Sequence, residues 1–222
     1  MLNIEKFLLL TVPYRSRLHE VNSLFVTART ALTLLEFQRT STISLVPADA
    51  TKTWDMTNPR IEVNEYRTPD AVGLNEAFKH LGKFHNKQVS AALGNKKLDP
   101  IKGLEAEFAR QGILSGGPKD YRLVATDVLS ELQHDLGMAL RGQRPVSQQD
   151  RILLEVIEAI NASKLLFGSQ QPEWTMSEFS EHVHENPSGD PVVAELVKAT
   201  SSMTALMEKS KMPALSEPPA AA

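Results

Sequence analysis

Apolar positions recur along most of this chain at alternating steps of three and four, the spacing that gathers side chains on one face of an α-helix. Leu18, Val21, Phe25, Ala28, Leu32 and Leu35 form one such stripe. Leu24, Ala31 and Leu34 widen it beyond the seam of a two-stranded coiled coil, so the pattern predicts a core helix opened by Ser16 as N-cap. A second stripe runs through Leu74, Ala77, Leu81, Phe84 and Ala91 to Gly94, which has the residue type of a C-cap. A third runs through Tyr121, Ala125, Val128, Leu132, Leu136 and Ala139 and stops near Gly142. Asp99-Pro100 and Asp190-Pro191 each pair a preferred N-cap with proline at the first helical position. The first predicts a short helix closed by Gly112; the second predicts a last helix with Val192, Leu196, Ala199, Met203 and Leu206 in register. After Ser147, the apolar residues between Ile152 and Phe167 cover more than one face. That predicts one helix at the centre of the core. Thr175 and Glu178 read as a capping box, with Trp174 stapled onto Phe179.

The period changes between Thr40 and Thr68. Thr42 to Val46 and Arg60 to Val63 alternate with period two and include β-branched residues, which predicts two short strands. Pro47, Asp49, Asp55, Asn58 and Pro59 fill the stretch between them with turn formers. A lone hairpin is marginal in water, so this β excursion or protruding arm should rest on the helices or on a partner. The segment Leu2–Val12 suits a helix through Ile4, Phe7 and Leu8 and a buried strand through Phe7-Leu8-Leu9-Leu10 equally well. Ser115 to Pro118 reads as a loop. The fold class expected is therefore mainly α: a bundle of about six helices with a small two-stranded β excursion at residues 40–68. Residues 1–210 are expected to form a single helical domain with that arm inserted. Residues 211–222 form a Pro/Ala-rich tail with no core to join, expected to be flexible.

Composition removes several classes of chemistry. The chain has no cysteine, so thiolate nucleophiles, disulfides and Cys-type zinc or iron–sulfur sites are excluded. A net charge of −3, with Lys and Arg only in small clusters, argues against general nucleic-acid binding. The largely apolar run Phe7–Val12 is too short for a membrane span and lacks the shape of a signal peptide. A cytoplasmic setting, or a virus particle assembled there, is the expectation. Neither G-x-G-x-x-G, G-x-x-x-x-G-K-[ST], H-E-x-x-H nor G-x-S-x-G occurs.

What remains is histidine and carboxylate chemistry. His134-Asp135 resembles the paired motif of the HD-domain metal-dependent phosphohydrolases, which are also all-helical. That resemblance, which covers two residues, implies an upstream histidine (His80 or His85) and a downstream aspartate (Asp150 or Asp190) on the same metal. Glu131 and His134 form an E-x-x-H step, the element from which di-iron carboxylate bundles are built, but the nearest second step, Glu155-x-x-Glu158, lacks the histidine. Their face also lies beside Asp127 and away from the stripe through Val128, Leu132 and Leu136, as solvated residues would. His182 and His184, among Glu178, Glu181 and Glu185, are two apart and diverge around a helix, so they cannot share a metal there. His80 and His85 diverge likewise.

The reading preferred from the sequence is thus a non-enzymatic structural or interaction subunit of a larger protein assembly, such as a virus particle or a secretion or injection apparatus. It needs no cofactor, and its partners are other protein subunits. Trp54 and Met56 in the arm, and Met212 and Leu215 in the tail, are the expected contact residues. A phosphohydrolase using His134 and Asp135, and a helical adaptor that binds a partner helix, are the alternatives.

Overall fold

A computed structural model of the chain describes residues 1–13, 22–46, 59–64, 67–118, 120–167 and 176–211. Their architecture is mainly α, as the apolar spacing predicts, with ten helices where a bundle of about six was expected. The buried residues of these helices and of the β segments join in one apolar cluster.

The ambiguous first segment is helix α1 (Asn3–Thr11). Asn3, Ile4, Phe7, Leu8, Leu9, Leu10 and Thr11 are all buried, so the run that could have been a strand is a helix enclosed on nearly every side. The Leu2 amide donates to Glu5 Oε2 at 2.7 Å and so satisfies one otherwise orphaned group at its start. Phe7 meets Phe25 edge to face, 5.7 Å between ring centres, and ties α1 to α2 (Asn22–Arg39). The predicted seam of α2 is buried at Phe25, Ala28 and Leu32; Ser16, Leu18 and Val21 lie outside the described residues.

The two predicted strands are present as β1 (Ile43–Val46) and β2 (Arg60–Val63), antiparallel with Leu45 opposite Ile61. They do not protrude as an arm. Ile43, Leu45 and Ile61 face the helices and are buried, and both outer edges are covered. The Leu45 amide donates to Gln38 Oε1 at 2.8 Å. On the other side Ile61 N donates to Lys87 O at 2.9 Å, Asn86 N to Ile61 O at 2.7 Å, and Val89 N to Pro59 O at 2.8 Å. That edge pairing explains why the predicted helix from Leu74 to Ala91 is broken. It divides into a 3₁₀ turn (Val72–Leu74), α3 (Asn75–Leu81), a second 3₁₀ turn (Gly82–Phe84) and α4 (Val89–Ala92). Asn86 at φ 58° turns the chain between the last two, and backbone groups that a helix would use internally serve the sheet edge instead.

α5 (Ile101–Arg110) follows Asp99-Pro100 as predicted. The expected loop at Ser115–Pro118 is the turn of a second hairpin, β3 (Leu114–Ser115) with β4 (Arg122–Leu123). α6 (Thr126–Leu140) and α7 (Gln148–Ala159) come next. α7 buries Leu153, Leu154, Val156 and Ile157 and touches α1, α2, α9 and α10, as expected of a central helix. It is shorter than its pattern. Asn161 adopts φ 55°, and Ala162 N donates to Ile157 O while Asn161 N donates to Glu158 O. This is a left-handed cap that ends α7 before α8 (Ser163–Phe167) starts. α9 (Met176–Glu185) and α10 (Pro191–Lys211) complete the described chain. Phe179 of α9 stacks on Phe167 at 5.8 Å; Trp174 and Thr175 lie outside the described residues.

Candidate functional site

Most buried charges in this fold hold helices together. Arg29 and Asp99 form a two-point ion pair between α2 and the start of α5. Asp150, in the first turn of α7, receives Lys6 Nζ of α1 at 2.7 Å and Arg144 Nη2 at 3.0 Å. Burial raises the proton affinity of Asp150, yet the hydrogen bonds from Lys6, Ser147 and Arg144 and the charge of Lys6 outweigh it. The carboxyl is held below its ordinary range. Glu155 accepts the Ser188 amide at 2.6 Å and hydroxyl at 3.1 Å, closing the loop between α9 and α10.

The residues singled out by sequence are differently placed. His134, Asp135 and Glu131 are exposed on the outer face of α6, beside Asp127. Asp135 uses its main-chain carbonyl to accept Arg144 Nε at 2.9 Å. Asp150, one proposed downstream ligand, is the carboxylate already held by Lys6 and Arg144. Among the described residues no three His, Asp or Glu side chains gather as a metal would require. Trp54, Met56, Met212 and Leu215 lie outside the described residues.

Two concave features stand out. One is a groove of about 330 Å³ bordered by Glu158, Asn161, His184, Val197, Ser201 and Thr204. On its rim the Ser180 hydroxyl donates to Glu158 Oε1, and His184 Nδ1 lies 2.7 Å from the Ser180 carbonyl. The residue types are those of a hydrolytic triad, but the connections are not. The serine proton is directed at the Glu158 carboxylate, whereas His184 Nδ1 lies 2.7 Å from the Ser180 carbonyl and 3.3 Å from its hydroxyl oxygen. His184, with 73% of its side chain exposed, lies 3.5 Å from Glu158 Oε1, a surface contact.

The other is a cleft of about 190 Å³ where α1, α7 and α10 begin and α2 ends. Leu32, Leu35, Ile152, Val192 and Val193 supply apolar wall, and Asn3, Glu36, Arg39, Gln148, Gln149 and Asp190 supply polar groups. Asn3 Nδ2 donates to Gln149 O at 2.8 Å and to Gln149 Oε1 at 3.1 Å. Asn3 is only 8% exposed, and its Oδ1 accepts no hydrogen bond. Asp190 Oδ1 caps α10 by accepting the Val192 amide at 2.8 Å. Glu36, 8% exposed, is gripped by the Arg39 guanidinium through Nε and Nη2. The hydrogen bond and charge of Glu36 raise Arg39 above its already high ordinary value, so this partner is always cationic.

Over the described residues, the fold and these features define a mainly α protein with two small two-stranded sheets and a recessed polar cleft at the helix ends. No protein-family model matches the chain, and no curated protein matches it significantly. The cleft was not foreseen from the sequence, because its polar residues come from four segments far apart in the chain and no short motif links them.

Proposed function

We propose that this chain is a non-enzymatic interaction subunit of a larger protein assembly. The observation that supports this is the cleft at the helix ends. It offers hydrogen-bonding groups on apolar walls, and its carboxylates are engaged with Arg39 and the cap of α10, an arrangement made for recognition. Its volume of about 190 Å³ falls below the ~300 Å³ at which pockets for drug-sized molecules begin. A side chain presented by another protein is the better match in size. Virus particles and secretion or injection machines are the kind of assembly proposed, with Trp54, Met56, Met212 and Leu215 as further contact residues.

The test is to recover the untagged protein gently from its own source and measure native mass and composition. Recovery in a complex of fixed stoichiometry is expected. A free monomer carrying a stoichiometric metal would overturn the proposal and revive the His134-Asp135 reading.

A further inference from the structure

We infer that His85 is a proton-released latch on the edge of the small sheet: its neutral imidazole holds the Val63 amide at the end of β2, and protonation of the ring lets that amide go. The inference stands apart from the cleft and from the assembly reading.

β2 has two edges. β1 occupies one, where Asn64 N donates to Thr42 O at 2.9 Å. On the other edge, main-chain groups point outward at every second residue. There Pro59 O accepts Val89 N at 2.8 Å, Ile61 O accepts Asn86 N at 2.7 Å, and Ile61 N donates to Lys87 O at 2.9 Å. The next outward amide is that of Val63. The facing chain turns at Asn86, φ 58°, and the rung is completed by a side chain: Val63 N donates to His85 Nδ1 at 3.0 Å.

A neutral imidazole carries one proton, and the nitrogen without it is the acceptor. The Val63 contact therefore places the proton on Nε2. A second proton must land on Nδ1, where it turns the acceptor into a donor and sets two N–H groups against each other. His85 is exposed, so water delivers that proton without any opening of the core.

The turn that carries His85 packs on α3 and β2. Among the described residues, the charged and titratable side chains of these elements are Lys83 and Lys87 on the turn, Arg60 and Glu62 on β2, and Glu76, Lys79 and His80 on α3. Glu76 and Lys79 pair with each other, and Lys87 Nζ lies 5.7 Å from the centre of the Phe84 ring. Glu62 is then one carboxylate among Lys83, Lys87 and Arg60, so positive charge prevails on the elements around the ring. A proton on His85 adds to it. The effect is local, because Ile61 keeps both of its main-chain partners on this edge. The latch is closed while the ring is neutral and opens as pH falls through the range in which imidazole takes up its proton, roughly pH 8 to 5.

The experiment follows the ¹⁵N-labelled full chain by NMR at the two ends of that range. Long-range ¹H–¹⁵N correlations report which ring nitrogen of His85 carries the proton. Amide exchange, corrected for its intrinsic pH dependence, reports the protection of Val63 and Ile61. At the higher pH the expected ring is protonated on Nε2. On acidification the protection of Val63 should fall about threefold to tenfold, the worth of one such hydrogen bond, while that of Ile61 holds. His85→Asn puts an amide oxygen close to the position of Nδ1 and does not titrate, so it should keep Val63 protected at both ends of the range. His85→Ala should leave Val63 unprotected at both. A neutral ring protonated on Nδ1, a Val63 protection that does not change with pH, or the parent's pH dependence surviving in His85→Asn would each overturn the inference.

Discussion

Arg29 and Asp99 meet through two hydrogen bonds of 2.7 Å each, Nε to Oδ1 and Nη2 to Oδ2, with side-chain exposures of 2% and 6%. The pair joins the middle of α2 to the cap of α5, since Asp99 Oδ1 also accepts the Ile101 amide at 3.2 Å. Asp99→Asn keeps a capping oxygen but leaves the guanidinium buried beside a neutral group. Such breakage typically costs about 3–5 kcal/mol. Urea unfolding followed by circular dichroism should show a loss of that size. Adding Arg29→Met to the same variant should return part of it, because the uncompensated charge is then gone. A loss below about 1 kcal/mol would mean the pair is as weak as a surface contact.

Gly103 marks where α5 crosses the 3₁₀ turn at Val72–Leu74. A Cβ on Gly103 would lie 2.3 Å from the Gly73 carbonyl oxygen, well inside contact, and the obstacle is backbone that cannot rotate away. Gly103→Ala should therefore lower stability by about 1–3 kcal/mol, although alanine favours the helix. Gly82→Ala is the control. Its Cβ would meet nothing within 4 Å, so the unfolded chain loses freedom at no native cost and stability should hold or rise slightly. Paired thermal melts decide it, and an unharmed Gly103→Ala would show that the crossing can relax.

How much of this was legible in the sequence follows from the range over which each feature is determined. The apolar face of α2, that of α10 as far as Met203, and the presence of β1 and β2 depend on local periodicity and were readable; Leu206, expected on the α10 face, is 63% exposed. Caps at Asp99, Ser147 and Asp190 were readable too, since side chain and amide are two or three residues apart. The break at Asn86 was not, because its cause is the sheet edge supplied by Pro59 and Ile61. The stop at Asn161 used asparagine where glycine is the usual signal. The second hairpin has two-residue strands, too short for alternation to register. The cleft escaped entirely: Asn3 and Gln149 are separated by 146 residues, and nothing local to either announces the other.

Stability at acid pH should report on Asp150. Its carboxyl in the folded chain titrates below the ordinary value of 3.8, so the unfolded state takes up a proton first as pH falls. The stabilisation is then complete above that ordinary value, and is lost as pH drops through it towards the folded one. Lys6→Met removes a 2.7 Å contact to the carboxylate. It should cost about 1.5 kcal/mol near neutrality and less at pH 3. Urea midpoints at both pH values measure this. A cost that is the same at pH 3 and pH 7 would place the effect of Lys6 in packing of its stem, with the ion pair contributing nothing.

The exposed His134-Asp135 pair allows the catalytic alternative to be tested without disturbing the fold. Both side chains, with Glu131 one turn earlier, lie on the solvent face of α6, whose inner face holds Leu129, Leu136 and Leu140 in the core. Arg144 is bonded to the carbonyl of Asp135, so truncating the carboxylate leaves that contact in place. A His134→Ala, Asp135→Ala double variant should change stability by no more than about 0.5 kcal/mol, as surface substitutions do. Metal content, measured by inductively coupled plasma mass spectrometry on protein purified without chelators, should be the same in variant and parent. If the parent instead carries a stoichiometric divalent metal that the variant loses while its melting temperature holds, His134 is a ligand. The remaining ligands would then have to come from outside the described residues or from a second molecule, and the phosphohydrolase reading would displace the one proposed above.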